Sequence, residues 1–266
     1  MTLLRRRFAW LEPELVAESL ACSHGEQGLI WLDGDGSELG RQIILAADPV
    51  EHRCCRGLPG DPGATNPFTT LRKLSSGHWT GWLSYDAAAW TEPANPWRRD
   101  VMATLWIARH DPVLRFDLQS REVHLEGIDP ERHAAMASCL ETLSTEERHP
   151  RKWPMLGCSW HRHSDRSSYM AGVSRIRELI ASGDLFQANL TSCTSSSIDS
   201  EVDNLDLYRR LRHQCPAPFS GLLVGNGTAA GEAVLSTSPE RFLQVEPDGA
   251  VQTRPIKGTR PRHADP

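Results

Sequence analysis

All nine tryptophans of this 266-residue chain lie between Trp10 and Trp160, and none follows. Indole is the bulkiest core-filling side chain, so the step separates a part that packs around large aromatics from a part that packs without them. It coincides with a stretch from Ser144 to His163 that is rich in Thr, Glu, Arg and His and is broken by two prolines. The sequence therefore predicts two regions, 1–150 and 164–266, joined by a connecting segment. Apolar residues make up 39% and charged residues 24%, which suits a folded chain and not a disordered one.

Local signals place elements in both regions. A helix is expected at Glu12–Ala21, and strands at Gly28–Leu32 and Arg41–Ala46 with Asp33-Gly34-Asp35-Gly36 turning between them. Pro59 to Pro67 reads as a loop. Strands follow at Trp79–Tyr85, Val101–Arg109 and Val113–Asp117. Asp129-Pro130 is an N-cap followed by an N1 proline, and opens a helix to about Leu143. In the second region, Ser164 or Asp165 caps a helix whose Tyr169, Val173, Ile176 and Ile180 form an apolar stripe expected in a core, with Gly183 as its stop. A further helix spans Leu205 to His213. Strands are expected at Gly221–Gly225, Ala233–Ser236, Arg241–Glu246 and Ala250–Arg254, the last two joined by the turn Pro247-Asp248-Gly249.

Charge and composition exclude several function classes. A net charge of −5 argues against a nucleic-acid or anionic-membrane binder. No apolar run approaches the ~18–20 residues of a membrane helix. Arg5, Arg6 and Arg7 imitate a signal peptide, but only Phe8 to Leu11 follow before Glu12 and Pro13. A cytoplasmic location is expected. The cysteines Cys22, Cys54, Cys55, Cys139, Cys158, Cys193 and Cys215 are odd in number and contain no CxxC, which reads as free thiols. His161 and His163 could ligate a metal on a strand, but no acidic or cysteine cluster accompanies them, and a loop is the expected reading.

The last hairpin carries the chemistry. A turn centred between Asp248 and Gly249 makes Glu240 and Lys257 opposite neighbours at its open end. A carboxyl and an amine there can divide proton donation and nucleophilic attack, or form a surface ion pair worth ~0–1 kcal/mol. Arg254, Lys257, Arg260 and Arg262 crowd a segment shaped by Pro255, Gly258, Thr259 and Pro261, and no acid interrupts it. That loop suits a small polyanionic ligand, or is a solvated basic turn.

The segment Thr253–Arg262 closely resembles a motif of the chorismate-utilising enzymes. Ser238-Pro239-Glu240-Arg241-Phe242-Leu243 matches their SPERFL element, and Ala181–Leu190 resembles their aGDifQvNL element. Similarity continues in Gly40-Arg41, Ala47-Asp48-Pro49 and Gly81–Asp86. Lys257 within PIKGT, and Pro216-Ala217-Pro218-Phe219-Ser220, are similar to the aminodeoxychorismate branch rather than the anthranilate branch, which usually carries alanine at the lysine position. The resemblance implies an α+β fold of packed central β-sheets with outer helices, as in anthranilate synthase component I-like proteins. It implies chorismate amination at C4 on the 4-aminobenzoate (folate) path, with Lys257 as covalent nucleophile and Glu240 as acid. Arg254, Gly258 and Thr259 would bind substrate, and a glutamine amidotransferase subunit would supply ammonia. Mg²⁺ held by glutamates is also implied. Some members bind tryptophan, here by Pro218, Phe219 and Ser220, although Leu32-Asp33-Gly34 lacks the serine often found there. Relatives continue beyond the lysine loop with the helix and loop that hold Mg²⁺ and much of the pocket. A fragment or truncated product, inactive alone and with its C-terminal part missing, is therefore expected. The alternatives are anthranilate synthase component I and a non-catalytic remnant that binds tryptophan or the amidotransferase.

Overall fold

Strands from both sides of the tryptophan step share one β-sheet. The computed structural model describes residues 2–92, 94, 97–98, 100–143, 159–198, 202–256 and 258. It divides into two compact units, residues 1–149 with 204–266, and residues 150–203. The division follows the connection only on one side, because residues 204–266 return to pack with the N-terminal part.

The first unit begins with β1 (Leu4–Phe8), α1 (Pro13–His24), β2 (Ile30–Asp33), β3 (Gln42–Ala46), β4 (Glu51–Cys55) and the short α2 (Pro67–Leu71). Strands β5 (His78–Leu83), β6 (Leu105–His110), β7 (Val113–Asp117) and β8 (Glu122–Gly127) lead into α3 (Pro130–Glu141). The second unit contributes β9 (His161–Arg162), α4 (Arg166–Ser182) and β10 (Thr194–Ser195). The chain then returns with α5 (Asn204–Gln214), β11 (Phe219–Val224), β12 (Ala233–Ser238), β13 (Arg241–Val245) and β14 (Val251–Arg254).

Seven strands form an antiparallel sheet in the order β1-β8-β7-β3-β2-β11-β12, and β4-β6-β5 form a second one. Side chains alternate across a strand, and here both faces of the large sheet are buried. Trp31, Ile43, Leu45, Leu114, Phe116, Leu222 and Val224 face a layer of α1, α3 and α5, which contribute Val16, Leu20, Met136, Leu140, Leu205 and Tyr208. The alternate residues Ile30, Ala46, Val113 and Leu223 pack on Trp82, Trp106 and Ala108 of the small sheet, where the two indoles stack at 4.8 Å. A helix layer and two sheets thus enclose two cores, an α+β arrangement.

The helix ends follow their sequence chemistry. The Asp129 carboxylate accepts from the amides of Glu131 and Arg132 behind Pro130. Glu26 performs the same service from a distance, accepting from the Asn204 and Leu205 amides at the start of α5. Three strands of the first unit were not foreseen. The arginines of β1 belong to an edge strand paired with β8, and Arg5 and Arg7 reach Glu126 and Glu122. Strands β4 and β8 also replace stretches left unassigned.

In the second unit Asp165 caps α4 through the Ser168 amide, and Gly183 ends it with φ 84°. His161 and His163 do not lie in a plain loop: His161-Arg162 pairs with Thr194-Ser195. The stripe on α4 is not core as expected, since none of the helix's residues is buried. Among the described residues of this unit, one helix and a ladder of two residues per strand provide no second layer to cover it. Among the described residues six cysteines are free thiols, and Cys158 lies outside them. No helix among them is long and apolar enough to cross a membrane.

His110 is fully buried in the first unit, and its Nε2 sits 2.8 Å from the Gly28 carbonyl. Burial lowers its pKa from 6.5 to about 4. The unfolded chain therefore binds a proton that the folded chain refuses, and stability drops as pH falls from about 6.5 toward 4. Urea titrations across this window should show that loss, and a His110→Gln variant should flatten it.

Candidate functional site

The turn Pro247-Asp248-Gly249 closes the β13–β14 hairpin as its residue types demand. Gly249 takes φ 86°, and the Ala250 amide donates to the Asp248 carboxylate at 2.9 Å. Val245 pairs with Val251 and Gln244 with Gln252, but the register shifts before Arg241, which pairs with Arg254. The turn register and the irregularity, one residue each, together bring β14 to the open end two residues early, so Arg254 is nearer to Glu240 than even pairing predicts. Lys257 and Thr259 lie outside the described residues. Gly258 is exposed, with open space where a Cβ would stand.

Glu240 sits in the connection from β12 to β13. Its amide donates to the Ser238 hydroxyl at 3.3 Å, and that hydroxyl donates to the Glu240 carbonyl at 3.0 Å. The residue is exposed, and among the described residues its carboxylate has no hydrogen bond or ion pair. Arg254 donates to the Gln252 side-chain oxygen at 3.0 Å, and Arg241 donates to the same oxygen. An acid with no partner among the described residues thus precedes Arg241, the strand partner of Arg254, at the open end of the hairpin.

A second feature lies where β2 meets α5 and β11. Asp33, Gly34, Asp35, Arg212, Ala217 and Ser220 line a cleft of about 460 Å³. The Asp33 carboxylate is buried; it accepts from the Tyr208 hydroxyl at 3.0 Å and from Arg212 Nε at 2.6 Å. Arg212 also lies over the Trp31 indole at 4.8 Å. Burial, with the Asp33 charge beside it, pushes the Tyr208 phenol above its ordinary range. Ser220 lines this cleft with its hydroxyl bonded to the Ala217 carbonyl at 2.9 Å, whereas Pro218 and Phe219 are not among the lining residues. Pro218 packs by Gly40, and Phe219 faces Arg241. A Cβ on Gly34 would stand 2.1 Å from the Gly40 carbonyl oxygen, so serine cannot occupy this position without a backbone shift. Asp33 and Arg212 were missed by sequence reasoning because no local spacing connects them.

Among the described residues no three His, Cys, Asp or Glu side chains gather where they could hold a metal ion. Truncating Asp33 takes the carboxylate from the buried Tyr208 hydroxyl and leaves the half-buried Arg212 with Glu14 at 3.4 Å. Asp33→Ala should therefore lower unfolding stability by about 2–3 kcal/mol in urea titrations.

Comparison with known proteins identifies the lineage. Residues 42–266 match the family model described as chorismate binding enzyme. The chain is 32% identical over 251 residues to an aminodeoxychorismate synthase of Streptomyces pristinaespiralis, covering 88% of this chain and 32% of the relative. It is 39% identical over 124 residues to aminodeoxychorismate synthase component 1 of Salmonella typhimurium, covering 46% of this chain and 26% of that protein. The crystal structure of anthranilate synthase component I from Streptococcus pneumoniae shares the fold, with TM-score 0.59 at 20% identity over 78% of this chain and 52% of that one. The chain thus spans about a third of the length of these curated relatives and half that of the solved one. The chain belongs to the family of chorismate binding enzymes.

Proposed function

We propose that the chain is part of a component I that aminates chorismate at C4, giving 4-amino-4-deoxychorismate. The observation that carries the reading is the Glu240 carboxylate, without a partner among the described residues and one residue before Arg241, the strand partner of Arg254, with three residues of chain from Arg254 to Lys257. Three residues span at most about 11 Å, so the amine is tethered near the acid. The matches named aminodeoxychorismate synthase support the branch.

In this reading the neutral Lys257 amine attacks C2 of chorismate, both conjugated ring double bonds move one position round the ring, and the C4–O bond breaks. Glu240 gives its proton to the departing hydroxyl, which leaves as water; without an acid, hydroxide would be a poor leaving group. Ammonia then adds at C4, both double bonds move back, and the C2–N bond to lysine breaks. The proton lost by the attacking nitrogen returns to the lysine. A free lysine, with pKa ~10.4, is almost wholly protonated at pH 7, so neighbouring cations such as Arg254 and loss of water favour the reactive amine. Arg254, Gly258 and Thr259 bind the substrate, and a glutamine amidotransferase subunit supplies ammonia. In the whole enzyme, glutamates would hold Mg²⁺, which would neutralise the substrate carboxylate. Orientation of the bound substrate contributes ~7–11 kcal/mol to such a step, so turnover draws on every residue that lines the pocket.

A second reading, an amino-acid-binding role, is favoured by the Asp33–Ser220 cleft, with tryptophan as its ligand beside Ser220. One experiment separates the two. Residues 1–266 joined to the C-terminal remainder of the Salmonella component 1 are incubated with chorismate and Mg²⁺ without ammonia, and intact mass is recorded. A covalent adduct should appear and vanish in Lys257→Ala. No adduct, together with a saturating calorimetric heat from tryptophan, supports the second reading instead.

A further inference from the structure

Glu240 has no side-chain partner among the described residues, so its position depends on the residues around it. Both flanks are held by one aromatic ring's residue, Phe219. Through the β11–β12 ladder Phe219 is the register partner of Ser238, whose hydroxyl bonds the Glu240 amide and carbonyl. On the other flank Arg241 lays its guanidinium over the Phe219 ring, 5.6 Å from the centroid. Arg241 also donates to Gln252 on the facing strand, while its Nε is buried with no acceptor. A guanidinium that forgoes a hydrogen bond and has no carboxylate partner among the described residues is held by the ring face and one amide oxygen. Phe219 itself belongs to the central sheet, whose next residue, Ser220, pairs with Asp33 of β2.

We propose that Arg241 is a positioning residue for Glu240: by bracing Phe219 and Gln252 it fixes the β12–β13 connection that presents the acid, without itself touching substrate. The planar fork matters as well as the charge. Lysine keeps the charge but cannot lie flat on the ring while bonding the amide, and methionine keeps only the bulk. The proposal rests on the function proposed above for its kinetic consequence, but not for its structural one.

The test therefore has two arms. In residues 1–266, NMR relaxation should show a rigid Glu240 amide (order parameter about 0.85) that falls below about 0.6 in both Arg241→Met and Phe219→Leu. In the fused enzyme, Arg241→Met, Arg241→Lys and Phe219→Leu should each lower kcat about tenfold with KM for chorismate within about twofold. The Arg241→Met/Phe219→Leu double variant should be no worse than either single one, since both remove the same brace. An unchanged Glu240 order parameter, additive losses, or a raised KM with kcat intact would overturn the proposal. If even the unsubstituted enzyme turns over no chorismate, the function is wrong, and the relaxation arm still decides the role of Arg241.

Discussion

The pairing of β2 with β11 is the contact on which the rest of the molecule depends. Ile30, Trp31, Leu32 and Asp33 align with Leu223, Leu222, Gly221 and Ser220, joining chain segments separated by the whole second unit. Gly221 permits the approach: a Cβ there would stand 3.2 Å from the Trp31 carbonyl oxygen. Each strand contributes apolar residues to both faces, so the pairing closes the helix-side core and the sheet-side core together. At its end Asp33 ties the ladder to α5 through Tyr208 and Arg212. Breaking such a buried pair costs more than any exposed ion pair in the molecule contributes.

From that ladder the structure runs outward to the candidate acid. Strand β11 continues into β12, β12 leads into the connection that holds Glu240, and β13 and β14 project beyond the sheet. Burial declines along this path. Residues of β11 are nearly all buried, those of β12 are half-buried, and those of β14 are exposed, with Phe242, Val245, Val251 and Ile256 open to solvent. The end of the hairpin that carries Glu240 is therefore thinly supported among the described residues of the first unit. That is why the turn hydroxyl of Ser238 and the Arg241 brace weigh more here than they would inside the core.

Much of this was legible in the sequence where the signal is local. The Asp129-Pro130 helix start, the Gly183 stop and the Asp248-Gly249 turn are each decided by a few adjacent residues, and each stands where expected. Strand β1 was not legible, because three consecutive arginines conceal an edge strand whose partners lie more than a hundred residues away. Strand β8 was concealed by its turn: Asp117 accepts from the Gln119 and Ser120 amides and Arg121 takes φ 52°, which residue identities do not announce. The irregularity between Arg241 and Gln244 shifted the hairpin register away from even pairing. Glu240 was singled out by hairpin spacing and by motif resemblance together. The Asp33–Arg212 pair could not be, since its two charges are 179 residues apart.

The central claim is the position at which the substrate is aminated, and the product reports it directly. The fused enzyme is supplied with chorismate, ammonia and Mg²⁺, and aminodeoxychorismate lyase is added only after the reaction has run. The account predicts no fluorescent product before the lyase, then 4-aminobenzoate after it. Anthranilate fluorescence before the lyase is added would contradict it.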